Sequence, residues 1–98
     1  MNEPRAHPAV SDDVESAALY YESCEPGLGF EFAEEIESAI NLICGYPTAW
    51  TIVEDDVRRM QVRRFPYGIF YSYQDEVVYI LAIGDLHRSP DFWKTRRA

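Results

Sequence analysis

Residues 57–83 read VRRMQVRRFPYGIFYSYQDEVVYILAI, and this stretch decides the fold because its side chains alternate with a period of two. That period is typical of β-strands, in which successive side chains point to opposite faces. We predict strands at Val57–Arg64, Ile69–Tyr73 and Val77–Ile83, with a tight hairpin loop at residues 74–76. The last of these strands is apolar at nearly every position, which indicates a central strand covered on both faces.

Helical spacing replaces this alternation upstream of the strands. Apolar residues recur every three or four positions in residues 12–23 and again in residues 30–44. Turn residues at 26–29 separate the two segments, and Gly45-Tyr46-Pro47 ends the second. The pattern predicts an α+β fold, in which an N-terminal helical hairpin packs on one face of a small, mostly antiparallel β-sheet.

The two ends of the chain add little regular structure to this plan. Two prolines in residues 1–10 confine any strand there to a short one at a sheet edge. Residues 91–97 are predicted to form a short C-terminal helix. We expect one domain over residues 1–98, a usual size for a small domain.

Charge is divided unevenly along the chain. Residues 1–57 hold one basic and thirteen acidic residues, 1 − 13 = −12, whereas residues 58–98 hold eight basic and four acidic residues, 8 − 4 = +4. The basic side chains fall among the strands, so we expect the sheet face away from the helices to be partly exposed and basic. An acidic protein binds a phosphate backbone poorly, which disfavours direct nucleic-acid binding and favours a protein partner.

Several other classes of protein are excluded or disfavoured. The apolar run Val77–Ile83 is too short to span a membrane, and no window resembles a signal peptide. Cys24 and Cys44 do not make a disulfide framework, and we predict small buried thiols in a reduced cytoplasmic protein. With only His7 and His87 to add, we expect no metal site and no cofactor.

Six short motifs occur in a characteristic order between about residue 7 and residue 97. They are His7-Pro8-Ala9-Val10, Tyr20-Tyr21, Gly27-Leu28-Gly29, Val57-Arg58-Arg59, Arg64-Phe65-Pro66-Tyr67 and Arg88-Ser89-Pro90-Asp91-Phe92-Trp93. This ordered set resembles the RelE/ParE superfamily of toxins from type II toxin–antitoxin systems, also called plasmid-stabilisation proteins. The resemblance implies a cognate antitoxin that wraps the toxin as a helix, often with an added strand, and a hetero-oligomer of the two proteins.

The superfamily contains two activities: RelE-like members cut messenger RNA on the ribosome, and ParE-like members poison DNA gyrase. The positions that correspond to the nuclease groups of RelE-like members are Arg59, Gln61, Gly68, Leu86, Arg88 and, for the tail tyrosine, Phe92 or Trp93. Only two of these positions are basic, and neither aromatic residue can transfer a proton. The chain is therefore closer to the ParE-like branch, and we expect a growth-inhibiting toxin that binds a protein target such as DNA gyrase.

Two alternatives stay open. One is a ribosome-dependent mRNA endonuclease, for which the weak catalytic candidates are Arg59, Arg63, His87 and Arg88. The other is a non-toxic family member that only binds an antitoxin-like partner.

Strand alternation also selects a candidate partner surface. It places Arg59, Gln61 and Arg63 on one face and turns Met60 and Val62 toward the helices. On that helix-facing side, we expect Arg58 or Arg64 to pair with a glutamate of the second helix, such as Glu34 or Glu37. The predicted partner-binding residues are Arg59, Arg63, Tyr71, Arg88, Trp93 and Arg96.

Overall fold

The computed structural model describes residues 3–89 and 91–97, so Pro90 of the tail motif lies outside the described residues. Its elements are β1 (Arg5–Ala6), α1 (Val10–Cys24), α2 (Leu28–Gly45), β2 (Ile52–Glu54), β3 (Val57–Gln61), β4 (Tyr67–Gln74), β5 (Val77–Asp85) and α3 (Asp91–Lys94). The predicted α+β arrangement is confirmed. The short strand β2 was not predicted, and β3 ends three residues earlier than expected.

The sheet has the strand order β1-β5-β4-β3-β2. The long strands β3, β4 and β5 follow one another as antiparallel neighbours, whereas β1 pairs with β5 in parallel at Arg5–Tyr79 and Ala6–Ile80. Asp75 and Glu76 form the β4–β5 turn with φ angles of 52° and 63°. Two strands, β1 and β2, thus form the edges of the sheet.

Helices α1 and α2 cover one face of this sheet, as the spacing predicts. Phe32, Ile36 and Ile43 of α2 are buried against the sheet residues Ile69 and Ile80. Burying each such side chain stabilises the fold by about 1.5–3 kcal/mol relative to leaving it in water. The helical hairpin and the sheet therefore share the larger of the two hydrophobic clusters.

The other face of the sheet is covered in part by the C-terminal segment, which the expectation of a partly exposed basic face did not include, and Arg59 is exposed on that face. Trp93 of α3 stacks on Phe70, with ring centroids 5.4 Å apart and planes 22° apart. Val57, Leu81 and Ala82 complete this second cluster. A helix of only four residues buries this surface because its aromatic side chains are large.

A bulge in β5 places two consecutive side chains, those of Leu81 and Ala82, on the sheet face that the C-terminal segment covers. Phe70 pairs with Ala82 and Tyr71 pairs with Ile80, so Leu81 is the extra residue. Leu81 and Ala82 both join the cluster beneath Trp93. This arrangement explains why β5 is apolar at nearly every position, as the sequence indicates for a strand covered on both faces.

The two cysteines differ in their environments. Cys24, in the last turn of α1, is exposed, so the prediction of a buried thiol there was wrong. Cys44 is half-buried, and burial raises the pKa of its thiol. No helix in the described part of the chain is long and apolar enough to cross a membrane.

Candidate functional site

The C-terminal segment is tied to the acidic half of the chain by three ion pairs. The pairs are Lys94 with Glu54 at 3.1 Å, Arg96 with Asp13 at 2.6 Å, and Arg97 with Asp56. All three acids belong to the N-terminal 57 residues. A large part of the charge division is thus compensated inside the molecule, and these cations are not a free basic surface.

The Arg96–Asp13 pair is the most buried of the three, with side chains that are 15% and 9% exposed. Asp13 Oδ2 also accepts a hydrogen bond from the backbone N–H of Ile83 at 3.0 Å, and Arg96 Nη1 donates to the Leu81 carbonyl at 3.3 Å. The hydrogen bonds from Arg96 to Asp13 raise the pKa of the guanidinium. Together the two side chains satisfy the β5 edge where β1 no longer covers it.

Two more of the predicted partner-binding residues are core residues. Tyr71 is fully buried on the helix side, where its hydroxyl donates to the Pro47 carbonyl at 2.6 Å. Trp93 is 2% exposed, and its Nε1 has no hydrogen-bond partner among the described residues. With Arg96, these residues hold the fold together, which corrects their assignment to an accessible surface.

Arg59 is exposed on the face that the C-terminal segment covers, beside Gly68. A Cβ atom at Gly68 would lie 3.2 Å from Arg59 Cγ and 2.9 Å from Leu86 Cδ2. The stem of Arg59 therefore occupies the space in which a side chain at position 68 would begin. Arg59 has no ion-pair partner among the described residues, so its guanidinium is available to a partner protein.

Arg88 is exposed next to the same region and lies over Phe92, with its Cζ 4.4 Å from the ring centroid. Phe92 in turn fills the place of a side chain at Gly84, where an added Cβ would be 2.1 Å from Cζ of the ring. Only glycine at position 84 allows this contact. The cation–π contact holds Arg88 at the surface rather than in the core.

A shallow cavity of about 350 Å³ lies between α1 and the end of β5. Its polar lining consists of Asp12, Asp13, Ser16, Tyr20, Tyr67, Asp85 and Arg88. Burial raises the pKa of the Tyr67 hydroxyl, and the neighbouring Asp85 raises it further. Asp13 is paired with Arg96, and the two remaining carboxylates, of Asp12 and Asp85, outnumber Arg88, which makes this cavity a poor site for a phosphate group.

His87, a weak catalytic candidate, contacts Asp85, which is one of the residues that line that cavity. Its backbone N–H donates to Asp85 Oδ1 at 2.7 Å, and its Nδ1 lies 3.0 Å from the same oxygen. The backbone hydrogen bond is the main reason that the pKa of Asp85 is lowered. The imidazole is 85% exposed, so it lies in solvent rather than in an enclosed catalytic pocket.

Arg63 does not share a face with Arg59, because β3 ends at Gln61 and Arg63 lies in the loop that follows. It is exposed and lines a groove of about 670 Å³ between α2 and β3. The apolar lining of the groove is Ala39, Leu42, Trp50, Met60 and Val62. The predicted strand was too long because the Val62 N–H still donates to the Tyr67 carbonyl at 3.0 Å, and residues 63–66 then form the connection to β4.

The other two arginines of this region are engaged within the fold. Arg64 Nη1 pairs with Glu31 at 3.3 Å, and the Arg64 backbone N–H donates to Glu35 at 2.9 Å. We expected a glutamate of the second helix such as Glu34 or Glu37 as the partner, whereas the structure has Glu31 and Glu35. Arg58 Nη1 instead donates to the carbonyls of Thr48 and Trp50 at 3.2 and 2.7 Å.

Sequence reasoning missed the groove itself. Leu42 falls outside the apolar stripe of α2 and is 46% exposed, which is the signal that could have indicated a second apolar surface. Trp50 stands in an irregular segment with no periodicity, so its position on the groove could not be read from a pattern.

The protein-family model described as "ParE toxin of type II toxin-antitoxin system, parDE" matches residues 5–90 of the chain. A search of curated protein sequences finds no match. The matched region begins at β1 and ends just before α3, so it includes both helices of the hairpin and the whole sheet.

Proposed function

The chain belongs to the ParE toxin family of type II toxin–antitoxin systems, and from this we propose that a cognate antitoxin neutralises it in the cytoplasm. We further propose that the free toxin binds a protein target, of which DNA gyrase is the leading candidate. Antitoxin and toxin would form a hetero-oligomer. The family match is the observation that carries the proposal.

The arrangement near the tail supports a protein target rather than RNA cleavage. Cleavage by a 2′-hydroxyl needs cations around the phosphate and a group that protonates the leaving oxygen. Gly68 carries no side chain at all, and the cavity between α1 and the end of β5 is lined by Asp12 and Asp85, with Asp13 paired to Arg96. Trp93 is buried and carries no hydroxyl.

One observation favours the RelE-type alternative. Asp85 holds the imidazole of His87 next to the exposed Arg88, an acid–base pair beside a cation. The exposure of the imidazole to solvent weakens this candidate, because nothing around it excludes water or positions a substrate.

A supercoiling assay with purified DNA gyrase tests the proposed target. The purified toxin should inhibit supercoiling, and the product of the small reading frame beside its gene should relieve that inhibition. A toxin that leaves gyrase active but cleaves messenger RNA in a ribosome extract would overturn the proposed target in favour of the nuclease. A chain that does neither and does not slow growth is a non-toxic family member.

A further inference from the structure

The cavity of about 350 Å³ between α1 and the end of β5 is a poor site for an anion, and its charges favour a ligand of the opposite sign. Asp12 lies in the first turn of α1, and Asp85 is the last residue of β5. Asp13, the third carboxylate of the lining, is already paired with Arg96. The cavity thus offers a ligand two carboxylates, one from the helix and one from the strand.

Both of these carboxylates keep oxygens that a ligand can bond. Asp12 is exposed and has no ion-pair partner within the described residues. Asp85 accepts from His87 through Oδ1, and its Oδ2 has no bonded partner in the described part of the chain. The hydrogen bond from the backbone of His87 lowers the pKa of Asp85, so this carboxylate is ionised at neutral pH.

Arg88 also lines the cavity, but it does not neutralise these carboxylates. Its guanidinium lies over the Phe92 ring, 4.4 Å from the centroid, and it forms no ion pair with Asp12 or Asp85. Arg88 is exposed, so water and salt screen its charge. Two ionised carboxylates therefore outweigh one screened arginine, and the cavity attracts a cation.

Two tyrosines add aromatic surface to the same cavity. Tyr20 of α1 is 60% exposed, and Tyr67 is the first residue of β4. Neither hydroxyl has a hydrogen-bond partner among the residues that the structure describes. Burial raises the pKa of the Tyr67 hydroxyl, and the nearby charge of Asp85 raises it further. Tyrosine rings attract cations to their faces, so these side chains favour the same kind of ligand as the carboxylates.

A guanidinium group matches this lining better than a metal ion or an ammonium group. In the described residues, no three His, Cys, Asp or Glu side chains are grouped so that they could hold a metal ion. A guanidinium is planar and has five N–H donors, so it can bond carboxylates while its face lies on an aromatic ring. It is also more weakly hydrated than an ammonium, so entering a partly enclosed cavity costs it less.

We propose that this cavity binds the side chain of an arginine that a partner protein presents. The guanidinium bonds to the carboxylates of Asp12 and Asp85 and lies against the rings of Tyr20 and Tyr67. This inference goes beyond the proposed function, because it names the chemical group that the partner contributes. It rests on that function only in taking the partner of this chain to be a protein.

A nuclear magnetic resonance titration of the ¹⁵N-labelled full chain with N-acetyl-arginine amide tests the ligand directly. The backbone signals of Ser16, Tyr20 and Gly84, which line the cavity, should shift with a Kd on the order of 1 mM, as expected for a single side chain. N-acetyl-citrulline amide has nearly the same shape without the charge, so it should leave these signals in place. N-acetyl-lysine amide should bind several-fold more weakly than the arginine compound.

Variants of the lining show whether the cavity is the binding site. The double variant Asp12→Asn, Asp85→Asn keeps the size of both side chains and should raise the Kd at least about tenfold, because two charge-assisted hydrogen bonds are lost. The matched control is Glu15→Gln, Asp75→Asn, which removes two exposed charges outside the cavity and should leave the Kd unchanged.

A second pair of variants tests the aromatic contribution. Tyr20→Ala removes an exposed ring of the lining and should raise the Kd several-fold. Tyr46→Ala is its control, because Tyr46 is 65% exposed and does not line this cavity. Both changes affect exposed side chains, so the fold should be kept, and the dispersion of the amide signals checks this.

Three results would overturn the inference. They are an absence of shifts in the cavity signals, equal binding of the citrulline or lysine compound, and equal losses in the site variants and their controls. A fourth concerns the partner: the Asp12→Asn, Asp85→Asn variant should also weaken inhibition of gyrase or binding of the neighbouring gene product. If it weakens neither, no partner uses the cavity.

The titration also keeps this inference separate from the proposed function. If the unmodified chain neither inhibits gyrase nor binds the neighbouring product, the proposed function fails. The arginine titration then still decides what the cavity binds, because it requires neither of those proteins.

Discussion

Arg96 donates hydrogen bonds to Asp13 from both of its terminal nitrogens, Nη1 to Oδ2 at 2.6 Å and Nη2 to Oδ1 at 3.0 Å. These residues are 83 positions apart, at the start of α1 and at the end of the chain. Their contact joins the helical hairpin to the C-terminal segment across the edge of β5. The C-terminal segment therefore stabilises the fold, because this ion pair holds Trp93 against the sheet.

Replacing Arg96 with alanine should destabilise the protein by about 3 kcal/mol, because the mostly buried Asp13 would lose its counter-ion and two hydrogen bonds. Urea denaturation followed by circular dichroism measures this loss. Arg64→Ala is the control, because it breaks an exposed pair with Glu31 and should cost below about 1 kcal/mol. Similar losses in the two variants would contradict the structural role of Arg96.

A methyl group at Gly84 should displace the ring of Phe92, which lies where the new Cβ would stand. We expect Gly84→Ala to cost about 1–3 kcal/mol of stability, the usual cost of overpacking. In a Phe92→Ala background the same substitution should cost much less. Gly45→Ala is the control, because nothing lies within 4 Å of the added atom, and an additive double variant would refute the contact.

Stability should fall at alkaline pH because of Tyr71. Burial raises its pKa above the ordinary value of 10.0, so its contribution is complete below that pH and is lost as pH rises through the folded-state pKa. Tyr71→Phe should cost about 1–3 kcal/mol at neutral pH, since the Pro47 carbonyl loses its donor. The decline above pH 10 should also become shallower, although Tyr21 and Tyr67 have raised pKa values too.

Denaturation curves between neutral and alkaline pH check this prediction. The matched variant is Tyr46→Phe, which changes an exposed tyrosine and should keep the profile of the unmodified chain. An unchanged slope in Tyr71→Phe would show that the buried hydroxyl does not titrate with unfolding.

The double variant Arg59→Ala, Arg63→Ala should weaken toxicity or antitoxin affinity while changing stability by no more than about 0.5 kcal/mol. Both side chains are exposed and have no ion-pair partner in the described part of the chain. Since they lie on different faces, the single variants should separate the two effects. Growth assays and titration calorimetry measure them, and normal values of both would exclude these arginines from the functional surface.

The fold could be predicted well because each main helix and strand has a periodic pattern of apolar residues that can be read from neighbouring positions in the sequence. The stripe of Phe32, Ile36 and Ile43 and the alternation after Val57 depend on near neighbours in the chain. The tail was misjudged because its partners are distant: nothing near Arg96 indicates Asp13, and nothing near Trp93 indicates Phe70. Arg96 was taken as a free charge because its counter-ion lies 83 positions away in the sequence.

In the candidate site, too, some residues could be placed from the sequence and others could not. Arg59 and Arg88 are exposed, as a contact with a partner requires: Arg59 lies on the outward face of β3 and Arg88 in the loop after β5. Tyr71 is not: strand alternation puts it on the same face of β4 as Ile69, against the helices, whereas Phe70 faces the C-terminal segment. The bulge in β5 leaves this alternation of β4 intact, so what the sequence left open was which face of β4 packs on the helices.

We propose that this ParE-family toxin stops growth through a protein target rather than by cutting messenger RNA. Pulse labelling after induced expression tests it most directly, by comparing thymidine and methionine incorporation over the first minutes. We predict that thymidine incorporation falls first and that the cells then form filaments, while methionine incorporation continues. An immediate fall in methionine incorporation with thymidine incorporation maintained would contradict the claim.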